Sequence, residues 1–503
     1  MALLPITPKA GIVTNSTDYT NQGRWVDGNL VRFQNNTLQP MGGWNRYKQT
    51  PLDGTPTNMY AYKTNTGKNV LAVGTRQKVY VNYDDVWYNI TPTGFVNDAQ
   101  SSPLGYGAFN WGVEDYGDAR SQSGLDFNSK SFAFDNWGEF LIFCSGSDGK
   151  IYQWRPDAGS GSPDATGIQI SNSPINNEAI IVTNERHLVA LGSGNDPRKV
   201  AWSSREANST WTAAATNTAG DLNIPTGGII LGAKKFGGDI IIFTDIGINR
   251  MYYSGSPFIY GIQDAGSSCA TPSIRSVVST GSFLAWFGEN GFYTFDGSVK
   301  QIPCDVHDYI YDNLHYPYRT ATAGGHNSNF NEIIWFFCSG TATSPNKYVS
   351  WNYLENSWSV GTLDRSCWLD SGVNDYPLAC ASNGTIFEHE STTLFNSEGL
   401  GNNKPFCTTA PMEISTGDKV AQINQLITDE ESSNVSALTL SMKGKFTPNG
   451  PETDFGSFSF NSSDGYTDCR ISARQVSMTV TGDTNQLFKV GQIRADVKER
   501  GKR

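Results

Sequence analysis

Two groups of carboxylates are the first candidates for chemistry: the pair Asp84-Asp85 and the EDYGD run from Glu114 to Asp118. Two carboxyl groups facing a glycosidic bond cleave it, one protonating the leaving oxygen while the other acts as nucleophile or base. A tyrosine nucleophile backed by arginines is the variant of that chemistry. Both groups lie in polar, turn-like contexts, where solvated surface carboxylates are the expected outcome. The five histidines are His187, His307, His315, His326 and His389. None forms an H-E-x-x-H pair and none accompanies a G-x-S-x-G elbow. His307 and His315 fall two helical turns apart, too far to share a metal without other ligands. Gly227-Gly228 and Gly237-Gly238 precede strand-like runs, whereas a phosphate cradle needs a helix N-terminus after the loop. They read as hairpin turns.

The eight cysteines (Cys144, Cys269, Cys304, Cys338, Cys367, Cys380, Cys407 and Cys469) are scattered, with no C-x-x-C pair and no histidine at metal-ligand spacing. Most sit in apolar runs, where a thiol behaves as a small hydrophobe, so reduced, buried cysteines are expected. No catalytic, cofactor-binding or metal-binding residue is assigned, and no cofactor is expected. The residues point away from an enzyme.

The elements that would carry any site are short strands. Seven times an apolar strand runs into a glycine or polar turn and then an aromatic-rich strand: Val70–Thr91, Phe132–Arg155, His187–Trp211, Gly238–Ser254, Phe283–Pro303, Glu332–Val360 and Pro377–Glu390. A strand-built repeat of roughly 40–50 residues is the signature of a β-propeller. The expectation is an all-β chain with a β-propeller-like domain over 51–400, an N-terminal hairpin arm over 1–50, and a C-terminal β-sandwich-like domain over 401–503. The arm and the C-terminal domain are expected to form one platform. In the arm, Asp27-Gly28 and Asn35-Asn36 read as turns. One helix is expected from a cap at Asp305 through Val306, Tyr309, Ile310 and Leu314, ended by Pro317. The Gly/Ser/Asp-rich stretch Thr91–Asp126 reads as a contact loop. In the C-terminal domain, Val476, Met478 and Val480 alternate with Ser477, Thr479 and Thr481, as in a half-buried antiparallel strand. The Asp429–Glu431 run reads as a loop tip or a charged edge.

Composition agrees with many strands and turns. Of 503 residues, 17% are charged and 52 are Gly, against about 25% charged in ordinary soluble proteins. The net charge is −11. Only the stretch from Arg494 to Arg503 is basic-rich, so no basic stripe for gripping nucleic acid exists before it. The start MALLPITPKAG lacks a basic segment followed by a long apolar core, so no signal peptide is expected. No run of about 18 apolar residues is present, and no stable membrane insertion is expected.

Four collinear stretches carry a resemblance. They are GRWVDGNLVRF with PMGGW (Gly23–Trp44), HLVALGSGNDPRKVAWSS to TAGDL (His187–Leu222), GGDIIIFTDIGINRMYYSGSPFIYG to DVHDYIYDNL (Gly237–Leu314), and NSNFNEIIWFF to SVGTLDRSCWLD (Asn327–Asp370). Together with the ISARQVSMTV to ADVKERGKR ending, they cover roughly two fifths of the chain. In that order they resemble the tail nozzle, or tail hub, protein of short-tailed bacteriophages. The resemblance implies a structural virion protein of podovirus type. It implies a homo-hexameric ring below the portal and tail adaptor that continues the DNA ejection channel. Tail fibres or spikes would sit outside, a needle or plug at the tip, and genome DNA would pass through without specific binding. Assembly would occur in the host cytoplasm and the mature location would be the virion tail. The family brings no catalytic residues. On this reading Arg24, Trp25, Asp27, Arg32 and Trp44 are candidate assembly contacts; otherwise the tryptophans fill a local core and the charges are solvated. The competing reading is a glycan-binding or glycan-cleaving β-propeller. Its sialidase-type repeat is approached only by GSDGKIYQW (Gly146–Trp154), at the wrong spacing.

Overall fold

The computed structural model describes residues 2–98, 129–159, 161–392, 404–415, 419–432, 438–447, 449–460, 465–483 and 487–501. Most of the Thr91–Asp126 stretch, including the Glu114–Asp118 run, lies outside these residues.

The all-β class holds. Among the described residues the middle of the chain folds into seven four-stranded antiparallel sheets. The first runs Pro56–Lys63, Asn69–Thr75, Val79–Tyr83, Val86–Asn89. The sixth, Ala323–Asn327, Glu332–Phe337, Lys347–Asn352 and Ser357–Thr362, shows the shared logic. Its second strand, EIIWFF, is buried at every position, as a strand covered on both faces must be. Tight turns join the strands. At Asn35-Asn36 both residues have positive φ, 53° and 58°, and Gly237-Gly238 does the same at 59° and 94°, the two-residue hairpin geometry that matches strand twist. These two expected turns are present; Gly227-Gly228, also read as a hairpin turn, instead lies in the connection between Gly220–Asn223 of the third small sheet and Ile230–Phe236 of the fourth, because the strands on its two sides pair with other strands.

The β-propeller-like domain is corrected. Each sheet is open, its hydrogen-bonded ladder ends at its own fourth strand, and no sheet closes into a barrel or propeller. The span is an array of separate small sheets. The repeat in the sequence reports a local strand-turn-strand unit, and a local period does not dictate how ladders close. Each of the seven sequence units falls inside one sheet, but the aromatic-poor strands that complete the sheets, such as Ile168–Gln169 and Gly220–Asn223, carry too little apolar signal to be read.

Residues 1–50 are distributed over three sheets. Ala2–Ile6 pairs antiparallel with Phe488–Glu499. Lys9–Ile12 pairs parallel with Arg24–Asn29, which in turn pairs with Phe406–Thr409. Val31–Gln34 and Thr37–Pro40 form a hairpin joined to Phe488–Glu499 through Leu38 and Val490. Gly43–Arg46 is the fourth strand of the seventh small sheet, beside Ile386–Thr392. The two chain ends therefore co-fold into a six-stranded and a seven-stranded sheet. One core joins both to the fifth and sixth small sheets, with Trp25, Phe33, Trp335, Trp358, Met442 and Met478 among its members.

Three local expectations change. Asp27-Gly28 lies inside Arg24–Asn29, and the chain instead bends at Leu30 (φ 54°), where it passes from the seven-stranded to the six-stranded sheet. The helix is only His307–Tyr311, without a side-chain cap, followed by a 3-10 turn over Tyr316–Ala321. Asp305 is drawn away from capping by Arg24. The Asp429–Glu431 run is not a loop tip but strand, within Ala421–Ser432; the ladder to Thr467–Ala473 stops at Leu426, so among the described residues the run is a charged edge paired on its Phe488–Glu499 side, with Glu431 opposite Lys489 and ion-paired to it at 3.3 Å. Cross-strand neutralisation makes an acidic triplet compatible with a ladder. Val476, Met478 and Val480 do face inward, as expected.

Candidate assembly interface

The five candidate contact residues cluster where the chain ends meet the sixth and seventh small sheets. Trp25 is buried in the shared core, its ring centroid 6.4 Å from that of Phe33. Arg24 is partly exposed and reaches Asp305 at 3.2 Å. Asp27 is exposed and accepts the amide of Gly28 at 2.8 Å. Arg32 and Trp44 are fully buried. Trp25, Arg32 and Trp44 thus make their contacts inside the chain, and only Arg24 and Asp27 present polar atoms outward.

Arg32 organises this region. Its Nη1 donates to Glu390 Oε2 at 3.1 Å, its Nη2 donates to Glu390 Oε1, and the same Nη2 lies 3.2 Å from Glu332 Oε2. The guanidinium carbon sits 3.7 Å above the Phe330 ring, a cation–π contact. One side chain thus ties the N-terminal hairpin to the sixth sheet through Glu332 and to the seventh through Glu390. Desolvation opposes the Arg32 charge, but the two carboxylates outweigh it and hold its pKa above the usual range. Burial pushes the Glu332 carboxyl up to about 7, against the pull of Arg32 and with a further push from Glu390. Two acids around one base leave a net negative charge in a dry site, and the less well-bonded acid bears the cost.

The backbone is shaped for this clamp. Glu390 has φ 60° beside a register shift between His389 and Thr392. A non-glycine residue held there costs on the order of 1–3 kcal/mol, and the irregularity aims its carboxylate at Arg32. Gly42 packs against Glu390 so closely that a Cβ there would overlap the carboxylate.

Beside the clamp lies a second buried cation. Arg365 Nε donates to His389 Nε2 at 2.8 Å, and Nη1 donates to the Asp364 carbonyl at 2.6 Å. Its guanidinium carbon lies 5.1 Å from the Trp44 ring centre and 4.4 Å from that of Phe387. Trp44 stacks on His389 with centroids 5.1 Å apart. Burial, then Arg365 and Arg32, keep His389 well below its ordinary pKa. It is therefore neutral and offers Nε2 as an acceptor. Sequence reasoning missed Arg365, Glu332 and Glu390; an arginine inside the apolar LDRSCWLD stretch was the available signal.

The sheets built from the chain ends also show apolar side chains to solvent: Leu3, Leu4, Phe446, Tyr466 and Leu487, with Tyr466 57% exposed. Among the described residues Thr453–Phe460 is an edge strand, bonded only to Leu438–Lys445. Asp84-Asp85 form a hairpin tip with φ 54° and 62°, and Asp84 is paired with Lys68 at 2.7 Å, so that pair acts as a turn. Among the described residues no group of three or more metal-ligating side chains converges.

No protein-family model matches this chain. No curated protein matches it. Solved structures show weak likeness only. The extracellular domain of a putative one component system from B. thetaiotaomicron is 10% identical with a TM-score of 0.39, covering 86% of this chain and 48% of that one. A CNH domain is 8% identical with a TM-score of 0.37, covering 68% and 98%. An ancestral GH74 enzyme is 9% identical with a TM-score of 0.38, covering 85% and 55%. This chain spans about half the length of the first and third. At such scores the likeness assigns neither family nor activity.

Proposed function

We propose that this chain is a structural virion protein of a short phage tail, one subunit of a hexameric nozzle that continues the DNA ejection channel below the portal and adaptor. The observation that carries the reading is the co-folding of both chain ends into two shared sheets, with exposed leucines and aromatics and an open edge strand. Such a body suits contact with neighbouring copies, while the seven small sheets form one insertion available to fibres or a needle. The collinear sequence resemblance supports the same reading. So does the net charge of −11: lysine and arginine contacts to phosphate make DNA binding tight, and an acidic wall lets DNA slide. Within this reading the subunit contacts lie at Arg24, Asp27 and the exposed apolar side chains, and Trp25, Arg32 and Trp44 support them from beneath.

Mass photometry of the full chain, alone and with its adaptor, tests this. The expected result is a species six times the 54.9 kDa chain mass, or a larger complex that forms only with the adaptor. Monomer alone in both mixtures would reject it. A ring that assembles unchanged with Arg24→Ala and Asp27→Ala combined would remove those two residues from the contact.

A further inference from the structure

The first strands of the seven small sheets, including Pro56–Lys63, Phe132–Trp137, Ala179–Val182, Ile230–Phe236 and Ala323–Asn327, line one cavity of about 520 Å³. That size suits a small-molecule ligand. Its acids are already engaged by neighbouring side chains. Asp135 Oδ2 lies 2.8 Å from Lys235 Nζ, Glu178 Oε2 lies 2.6 Å from Lys130 Nζ, and Asp370 Oδ2 lies 2.9 Å from His326 Nδ1.

Two of its cations have no carboxylate of a described residue at ion-pair distance. The Lys234 ammonium makes no hydrogen bond or ion pair with any described residue, and desolvation lowers its pKa. Arg275 donates through Nη1 to Ser129 Oγ at 2.9 Å and through Nη2 to the Ser366 carbonyl at 2.5 Å; among the described residues its buried Nε has no partner and no carboxylate lies at ion-pair distance, Asp98 acting on it only from further off. Both side chains keep partial exposure, as groups facing a cavity must. They stand on adjoining walls: Gly232, two residues before Lys234, packs so that a Cβ there would lie 2.7 Å from Ile274 Cγ1, next to Arg275. Charges withdrawn from bulk water are ordinarily paired. Among the described residues, a lysine without a partner and an arginine without a carboxylate at ion-pair distance share this cavity, whose acids are engaged elsewhere, and together they form a site built for negative charge.

We propose that this cavity binds a small multivalent anion, a phosphate compound or a polycarboxylate, held between Lys234 and Arg275. Lys234 supplies a point charge and Arg275 the field of its guanidinium, which lines the same space. The site is independent of the tail reading and stands whether or not the ring forms.

Isothermal titration of the full chain with pyrophosphate and, separately, with citrate tests it, with chloride matched to equalise screening. Saturable one-site binding of either anion is expected, with a rise in Tm that follows occupancy. Pyrophosphate alone would identify phosphate chemistry, and citrate alone carboxylate chemistry. Lys234→Met removes a charge that has no partner, so it should fold, and it should weaken binding by about tenfold or more. Lys234→Arg should restore most of it. No saturable binding of either anion up to about 10 mM, or equal binding by wild type and Lys234→Met, would overturn the proposal.

Discussion

Arg32 and Arg365 are both fully buried and both touch the same short stretch of chain, His389-Glu390, yet they are held in opposite ways. Arg32 has two carboxylates and a phenyl face, and its charge is secured. Arg365 has a neutral imidazole, a backbone carbonyl and two aromatic faces, and burial lowers its pKa to about 10. Adjacent residues on one irregular strand thus face different electrostatic surroundings, because the register shift turns Glu390 toward one arginine and leaves His389 to the other. The difference teaches that burial alone does not fix a side chain's charge. The first hydrogen-bonding partners do, and here they pass the consequence on: Glu332 is pushed up and His389 is pushed down.

The comparison breaks most sharply at Arg32. Arg32→Met strands Glu332 and Glu390 in a dry site and should cost about 3–5 kcal/mol, read by chemical denaturation. Combining it with Glu332→Gln should recover part of the loss, and no recovery would separate Glu332 from the clamp. Gly42→Ala should cost about 1–3 kcal/mol by displacing Glu390, and the loss should shrink in an Arg32→Met background, where that carboxylate has lost its ion pair and keeps the Asn327 Nδ2 hydrogen bond at 3.1 Å.

Acid sharpens the comparison by sign. The folded pKa of Glu332 is about 7 against 4.5 in the unfolded chain. Between those values the folded state binds more protons, so this group makes the protein more stable as pH falls from 7 toward 4.5. His389 works the other way: its folded pKa is far below the ordinary 6.5, the unfolded chain takes the proton first, and stability drops as pH falls below 6.5. Unfolding curves from pH 7.5 to 5 for Glu332→Gln should lose the first slope, and those for His389→Gln the second. Identical slopes in both variants would show that the two arginines do not create separate environments. The smallest effect belongs far from both. Lys489→Ala breaks an exposed pair with Glu431 and should change stability by less than about 1 kcal/mol.

Much of this was legible in the chain. The seven strand-turn-strand units, the Asn35-Asn36 turn, the alternation at Val476, Met478 and Val480 and the thiols without disulfide partners all follow from local period and residue type. What misled was also local. Asp27-Gly28 has the form of a turn but is stitched into a ladder by Cys407 and Thr408 on a strand nearly 400 residues away. Asp305 has the form of a helix cap but meets Arg24 from the other end of the chain. The β-propeller expectation took a period for a closure, and the open four-stranded ladders correct it. The contact residues divide the same way: residue type singled out Arg32 and Trp44 as unusual, but only their surroundings show that they point inward.

The sequence by itself determined the strands, their turns and the all-β class, because these depend on neighbours within a few residues and on alternating side-chain hydrophobicity. Only the tertiary structure decided that the two ends of the chain share sheets, that Arg32 meets Glu332 and Glu390, and that Lys234 and Arg275 line one cavity whose described acids are engaged by other residues. Those pairings join residues up to several hundred positions apart. Their energies arise from desolvation and from partners that the chain brings together only when it packs.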